Sequence, residues 1–220
     1  MFDLPHPWMG TLSLPPALAQ KRRRTIGLLG GSFNPAHDGH RHISVMALKL
    51  LGLDEIWWLV SPQNPLKAAD DMAPFAERLR HAVGHARHPR IKVSGLETGL
   101  GTRYTVDTLA ALHKRFPQTR FVWLMGADNL AQIHRWAGWT QIFDHTAIAV
   151  LARPAYSLRA LAGRAAHRYR ARRLPAARSR QLVGTASPAW IFLPIRLMPV
   201  SATQLRAAGR GLASPSSPHL

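Results

Sequence analysis

The sequence contains no cysteine among its 220 residues. This absence excludes a disulfide framework, a thiolate nucleophile and a cysteine-ligated zinc site. No apolar run approaches the roughly 18 residues that a membrane-spanning helix needs, so we expect no membrane partner. Acidic residues are also scarce: 11 Asp and Glu stand against 29 Lys and Arg, which gives a formal net charge of +18.

The shortage of acid is greatest after Asp144, where the remaining 76 residues contain 12 Arg and no Asp or Glu. Such a surface attracts anions, whether nucleic acid, membrane or phosphorylated small molecules. A solvated basic helix without any partner explains the charge equally well. Because the sequence has no zinc finger, RNA-recognition motif or convincing recognition helix, we expect no specific nucleic-acid partner.

The two ends of the chain differ from the rest in composition. Asp3 lies where a secretion signal carries positive charge, and prolines interrupt the apolar stretch that follows it. We therefore interpret residues 1–24 as a flexible extension and 209–220 as a flexible tail, and we expect a cytoplasmic protein. The length and the 46% hydrophobic content predict a single domain over 25–208.

Within that domain, short apolar runs alternate with helical periodicity. The predicted strands are 25–29, 55–60, 91–93, 120–125, 146–151 and 190–193, and the predicted helices are 39–51, 74–87, 105–116, 128–138 and 201–208. We interpret the basic segment 153–185 as an exposed helix and loop. Strands that are apolar on both faces and alternate with helices predict a doubly wound α/β domain with a parallel sheet.

Ligands of such sheets bind where the strands end, so the loop after the first strand is the first candidate site. It reads GGSFNPAHDGH over 30–40. Gly30 and Gly31 let the backbone approach phosphate oxygens closely. His37 and His40 lie at the start of the next helix, where the dipole favours an anion. A surface pair or a metal pair of histidines fits this spacing as well, but no third His or carboxylate stands at a convincing ligand spacing.

This string resembles the signature of the nicotinate-nucleotide adenylyltransferases, nucleotidyltransferases with a His-x-Gly-His motif. Further segments resemble that family in the same order: SPQNPLK at 61–67, RYTVDTL at 103–109, GAD and WAGW within 121–139, and VSATQLR at 200–206. The resemblance covers about residues 25–208. It implies a Rossmann-like nucleotidyltransferase fold and the transfer of the adenylyl group of ATP to nicotinate mononucleotide, with release of pyrophosphate.

Two sibling acceptors compete with nicotinate mononucleotide. The Gly-Ala-Asp segment and Trp136 argue against phosphopantetheine. No single residue decides between nicotinate mononucleotide and its amide, nicotinamide mononucleotide. The oligomeric state, the role of the extension and the role of the basic segment stay open.

The resemblance also implies roles for individual residues. Three are catalytic residues that contact the phosphates of ATP: His37, His40 and Arg206. Seven bind ATP: Gly30, Gly31, Ser32, Phe33, Asp128, Ser201 and Thr203. Five bind the mononucleotide: Asn34, Lys67, Tyr104, Thr105 and Trp136. The implied cofactor is Mg²⁺, held mainly by phosphates and water rather than by protein ligands.

Some of these residues also have plain structural interpretations. Asp128 fits a helix N-cap, Lys67 fits a solvated surface lysine, and Ser201 with Gln204 fits a capping box. Trp139 fits a core position. Ala202 stands where the family has a second serine, so one hydroxyl contact of the family is missing here.

Overall fold

The computed structural model describes residues 23–62, 72–153, 156–196 and 202–207, the side chains of 203 and 204 excepted. Its strands are β1 (Thr25–Gly31), β2 (Glu55–Val60), β3 (Ile91–Ser94), β4 (Arg120–Gly126), β5 (Ala147–Leu151), β6 (Arg173–Leu174) and β7 (Trp190–Leu193). Its α-helices are α1 (Asp38–Leu51), α2 (Phe75–Ala86), α3 (Leu96–Leu100), α4 (Thr105–Arg115), α5 (Ala127–Gln132), α6 (Trp139–His145), α7 (Ser157–Leu161), α8 (Arg164–Arg168) and α9 (Ala202–Ala207).

The seven strands form one sheet in the order β3-β2-β1-β4-β5-β7-β6. Every neighbouring pair is parallel. The chain builds outward from β1 through β2 to β3, then returns to the other side of β1 to add β4 and β5. The direction of winding therefore reverses between β1 and β4, and the doubly wound fold is confirmed. Ligands of such sheets bind at the carboxyl ends of the strands beside this reversal.

Two apolar clusters cover the two faces of the sheet. One packs α1 and α2 against β1 and β2, with Trp58 fully buried in it. The other packs α4, α5 and α6 against the opposite face, around Trp123 and Phe143. All five residues of β5 are buried, as a central parallel strand requires. No described helix has the length and apolar character needed to cross a membrane.

Two sequence-based expectations are wrong in detail. The predicted helix 128–138 is interrupted: α5 ends at Gln132, a 3₁₀ turn covers Ile133–Arg135, and a non-helical stretch precedes α6. The basic segment 153–185 is also more structured than an exposed helix and loop. It contains α7, α8 and β6, and it places Tyr169 and Leu182 in the interior. Most of its arginines are exposed, and its elements are too short to leave a clear apolar periodicity in the sequence.

Candidate active site

The loop between β1 and α1 forms the floor of the candidate site. Ser32, Phe33 and Asn34 are all buried. The Phe33 ring stacks on Trp58 with centroids 5.1 Å apart. Phe33 has a φ of +47°, a left-handed conformation that costs energy for a bulky residue and persists only where the surroundings enforce it. Arg206 of α9 supports the same loop from outside, since its Nη1 donates to the Asn34 carbonyl at 2.6 Å.

The two glycines of this loop have different surroundings. A Cβ on Gly30 would collide with the indole ring of Trp123, so core packing alone requires a glycine there. A Cβ on Gly31 would make only ordinary contact with the Phe33 ring, 3.6 Å away. Gly31 is thus the glycine of the pair for which the protein interior gives no packing reason.

His37 and His40 together form a capping box at the start of α1. His37 Nδ1 accepts from the Gly39 N–H at 3.1 Å. The His37 backbone N–H donates to His40 Nδ1 at 3.2 Å. Each Nδ1 therefore acts as an acceptor, which places the ring proton of a neutral imidazole on Nε2. The cap thus orients two Nε2–H donors at a helix N-terminus.

The surroundings keep both imidazoles neutral. Burial, followed by the charge of Arg153, lowers the pKa of His37 to about 4. Burial, followed by the nearby His37 and Arg153, lowers the pKa of His40 well below its ordinary range. The ring centroids are 3.9 Å apart, a distance at which two imidazolium charges would repel strongly. At neutral pH the pair can donate hydrogen bonds to an anion without carrying charge itself.

The carboxyl ends of β4 and β5 bring Asp128 and Arg153 together. Arg153 Nε lies 3.6 Å from Asp128 Oδ1. Asp128 is in the first turn of α5, whose N-cap is Gly126, so its interpretation as the N-cap is wrong. A Cβ on Gly126 would collide with Asp128 Oδ1 and would lie 2.8 Å from Arg153 Nε. Glycine at 126 therefore lets this charged pair sit directly against the strand end.

A second group of predicted residues lies at the start of α4 and in the turn next to it. The N-cap residue Tyr104 gives α4 no side-chain cap, and Thr105 is its first residue. The turn that contains Trp136 lies against this helix start, because a Cβ on Gly138 would be 3.1 Å from Val106. Trp136 is half-buried against the core cluster beneath it. The start of α4 and the turn that contains Trp136 are therefore adjacent.

Comparison with known proteins shows the family to which the chain belongs. The sequence profile of the cytidylyltransferase-like family matches residues 28–208. A probable nicotinate-nucleotide adenylyltransferase of Cereibacter sphaeroides is 54% identical over 185 residues, which cover 84% of this chain and 97% of that protein. The one from Ruegeria pomeroyi is 50% identical over 187 residues, covering 84% and 87%. The chain belongs to the nicotinate-nucleotide adenylyltransferase family.

A solved structure supports the fold independently of close sequence similarity. The Plasmodium falciparum nicotinic acid mononucleotide adenylyltransferase complexed with NaAD aligns with a TM-score of 0.63 at 16% identity. The alignment covers 84% of this chain and 83% of that one. A nucleotidyltransferase fold of the Rossmann-like type, predicted from the resemblance, is therefore confirmed.

In this adenylyltransferase family member, most of the predicted residues that the structure describes fall into two groups. The first surrounds the β1–α1 loop and includes both histidines, Asn34 and Arg206. The second lies at the start of α4, with Trp136 beside it. Lys67, Ser201 and the side chain of Thr203 lie outside the described residues, so their roles stay predictions.

Two arginines of the site were missed by sequence reasoning. Arg153 belongs to the basic segment in the sequence, but its position two residues after a buried strand indicates that it lies at the carboxyl edge of the sheet, where ligands bind. Arg78 is 1% exposed and bonds to the loop that holds Ser32. The sequence indicates this burial, because Arg78 is a charged residue at helical spacing from the apolar Phe75 and Ala82 and so lies on the apolar face of α2.

Proposed function

We propose that this protein transfers the adenylyl group of ATP to nicotinate mononucleotide, giving nicotinate adenine dinucleotide and pyrophosphate. The observation that carries the proposal is the pair of neutral histidines fixed by mutual capping at the start of α1. The identity of 54% with a relative named as a probable nicotinate-nucleotide adenylyltransferase supports the choice of reaction and acceptor.

In the proposed reaction, a phosphate oxygen of the mononucleotide attacks the α-phosphorus of ATP. A bond forms between that oxygen and phosphorus, the bond to the oxygen that bridges to the β-phosphate breaks, and pyrophosphate leaves with the electron pair. Such a step asks the protein mainly to align the reactants and to stabilise the charge that develops. No enzyme nucleophile is needed, in keeping with a site built from donors.

We assign the triphosphate to the first group of residues. The Nε2–H groups of His37 and His40 would donate to its oxygens, and Arg206 would add positive charge beside the loop. Backbone N–H groups of the loop over 30–33 would contact further oxygens, with Gly31 allowing the closest approach. Asp128 would accept from hydroxyl groups of the nucleotide. Ser201 and Thr203 keep the ATP contacts that the resemblance implies.

We assign the mononucleotide to the second group. The N-terminus of α4 offers backbone N–H groups that no side chain caps, so the ring carboxylate of nicotinate would bind at Thr105. Trp136 would stack on the pyridine ring, and Tyr104, which is 41% exposed, would close the same side. Asn34 and Lys67 remain the proposed contacts to the mononucleotide beside the loop.

We propose Mg²⁺ as the cofactor, bound to the triphosphate. Within the described ranges, no three His, Cys, Asp or Glu side chains are grouped as a protein metal site would require. Magnesium fits a site of this kind because it keeps several waters and often binds through substrate phosphates. When bound, the ion would neutralise charge on the leaving pyrophosphate.

The test is pyrophosphate release from ATP and Mg²⁺ with three acceptors in parallel: nicotinate mononucleotide, nicotinamide mononucleotide and phosphopantetheine. We expect the highest kcat/KM with the acid, at least tenfold above the amide, since one hydrogen-bonded charged group discriminates on that scale or more. His40→Ala is the control for contaminating activity. Equal or better turnover of another acceptor would overturn the assignment of the substrate, and no release by folded protein would overturn the reaction.

A further inference from the structure

Arg78 occupies an unusual place for an arginine. It lies on the apolar face of α2 and is 1% exposed. Burial lowers the pKa of its guanidinium, which nevertheless stays charged at neutral pH. Burying a charge is costly unless hydrogen bonds replace its hydration. The bonds that it makes therefore indicate why an arginine is present here.

The acceptors of Arg78 within the described part of the chain are four backbone carbonyls. Nη1 donates to the Ser32 carbonyl at 2.7 Å and to the Ser61 carbonyl at 2.8 Å. Nη2 donates to the Pro62 carbonyl at 2.7 Å. Nε donates to the Ala73 carbonyl at 2.9 Å. One side chain thus joins the loop after β1, the end of β2 and the approach to α2.

The bond to Ser32 has a directional consequence for the site. The Ser32–Phe33 peptide is trans, so its carbonyl and its N–H point in opposite directions. Because Arg78 holds the carbonyl towards the interior, the Phe33 N–H points away from the guanidinium. Phe33 also carries the left-handed φ of +47°, a conformation that surrounding contacts must enforce. The Arg78 bond and the stacked Phe33 ring together supply such contacts.

A second pair of bonds strengthens the same arrangement. The Ala73 N–H donates to Asn34 Oδ1 at 3.3 Å, while the Ala73 carbonyl accepts from Arg78. The Asn34 carbonyl is held by Arg206. Two carbonyl oxygens of the loop, at Ser32 and Asn34, are thus held by arginines. An anion-binding loop needs this, since exposed carbonyl oxygens would repel phosphate.

We propose that Arg78 is a positioning residue for adenylyl transfer, which holds the Ser32 carbonyl inward so that the Phe33 N–H is oriented for a phosphate oxygen of ATP. The proposal rests on the function proposed above. Arg78 itself touches no substrate, because its guanidinium is buried behind the loop. It acts through the backbone geometry of 32–34.

The test compares Arg78→Lys and Arg78→Ala with Arg80→Ala, which removes an exposed arginine from the same helix. We expect Arg78→Lys to fold and to lose about a hundredfold in kcat/KM for ATP, the scale that a misplacement of about 1 Å costs. Millimolar guanidinium should restore part of the activity of Arg78→Ala, and Arg80→Ala should match the wild type.

A binding measurement separates this proposal from the proposed function. Calorimetric titration with α,β-methylene ATP, which cannot release pyrophosphate, needs no turnover; we expect Arg78→Lys to bind it at least tenfold more weakly than the wild type. If the wild type binds the analogue but transfers the adenylyl group to no acceptor, the proposed function is refuted. The affinities for the analogue then still test the positioning role of Arg78. Wild-type kinetics and affinity in Arg78→Lys would overturn the positioning role. So would losses in both Arg78 variants that follow thermal stability alone and do not respond to guanidinium.

Discussion

The neutrality of His37 makes a quantitative prediction about acid stability. Its imidazole is 3% exposed, and its pKa is lowered from 6.5 to about 4, first by burial and then by the charge of Arg153. The unfolded chain therefore binds a proton at this residue below pH 6.5, whereas the folded chain does not until about pH 4. The free energy of unfolding therefore keeps its full value above about pH 6.5, and part of it is lost as the pH falls towards the folded-state pKa of about 4.

The size of the loss follows from the same two values. Protonation of His37 in the unfolded chain lowers the free energy of unfolding by about 2 kcal/mol at pH 5 and by roughly 3 kcal/mol below pH 4. His37→Asn removes the titrating group but keeps a side chain that is a preferred N-cap, so the start of α1 stays capped. We expect the free energy of unfolding of the wild type to fall by about 2 kcal/mol more than that of this variant between pH 7 and pH 5.

The assay is urea unfolding at both pH values, read by tryptophan fluorescence. His167→Asn, which replaces an exposed histidine far along the chain, is the matched control and should follow the wild type. Parallel losses in wild type and His37→Asn would refute the reasoning, because they would mean that the fold does not hold His37 in its neutral form.

Three further predictions concern the site directly. His40→Ala should lower kcat at least about a hundredfold, the scale of one lost transition-state donor. His40→Gln should retain more activity, because a neutral amide can both accept at the cap and donate to the phosphate. Equal losses in the two variants would instead indicate an imidazole that transfers a proton. Trp136→Ala should raise the KM for nicotinate mononucleotide about tenfold, the scale of a lost aromatic stack, with Trp136→Phe intermediate, and an unchanged KM would contradict stacking. Gly126→Ala should cost about 1–3 kcal/mol of unfolding free energy by overpacking and should also weaken ATP binding, since its methyl group displaces Asp128 from Arg153; wild-type stability and affinity would show that the strand end has room to spare.

Much of the site could be read from local sequence because its chemistry is local. His37 and His40 are three residues apart, which is the spacing of an N-cap and the third helical position, and the same short segment supplies the glycines. The strands could be read for a similar reason, since continuous apolar runs are the mark of a parallel sheet covered on both faces. The basic segment was misjudged because short elements such as β6, only 2 residues long, leave no periodicity to detect.

The sequence alone determined the fold class and the reaction family, because apolar runs that alternate with helical periodicity mark a parallel α/β sheet and short motifs carry the family resemblance. Only the tertiary structure decided the protonation state of His37 and His40. Burial comes first and the charge of Arg153 contributes as well in lowering the pKa of both histidines, and Arg153 lies more than 100 residues along the chain from either of them. Likewise, Arg78 became part of the site only when folding brought the ends of β1 and β2 to the same edge, because its four acceptors are backbone carbonyls that no sequence pattern marks.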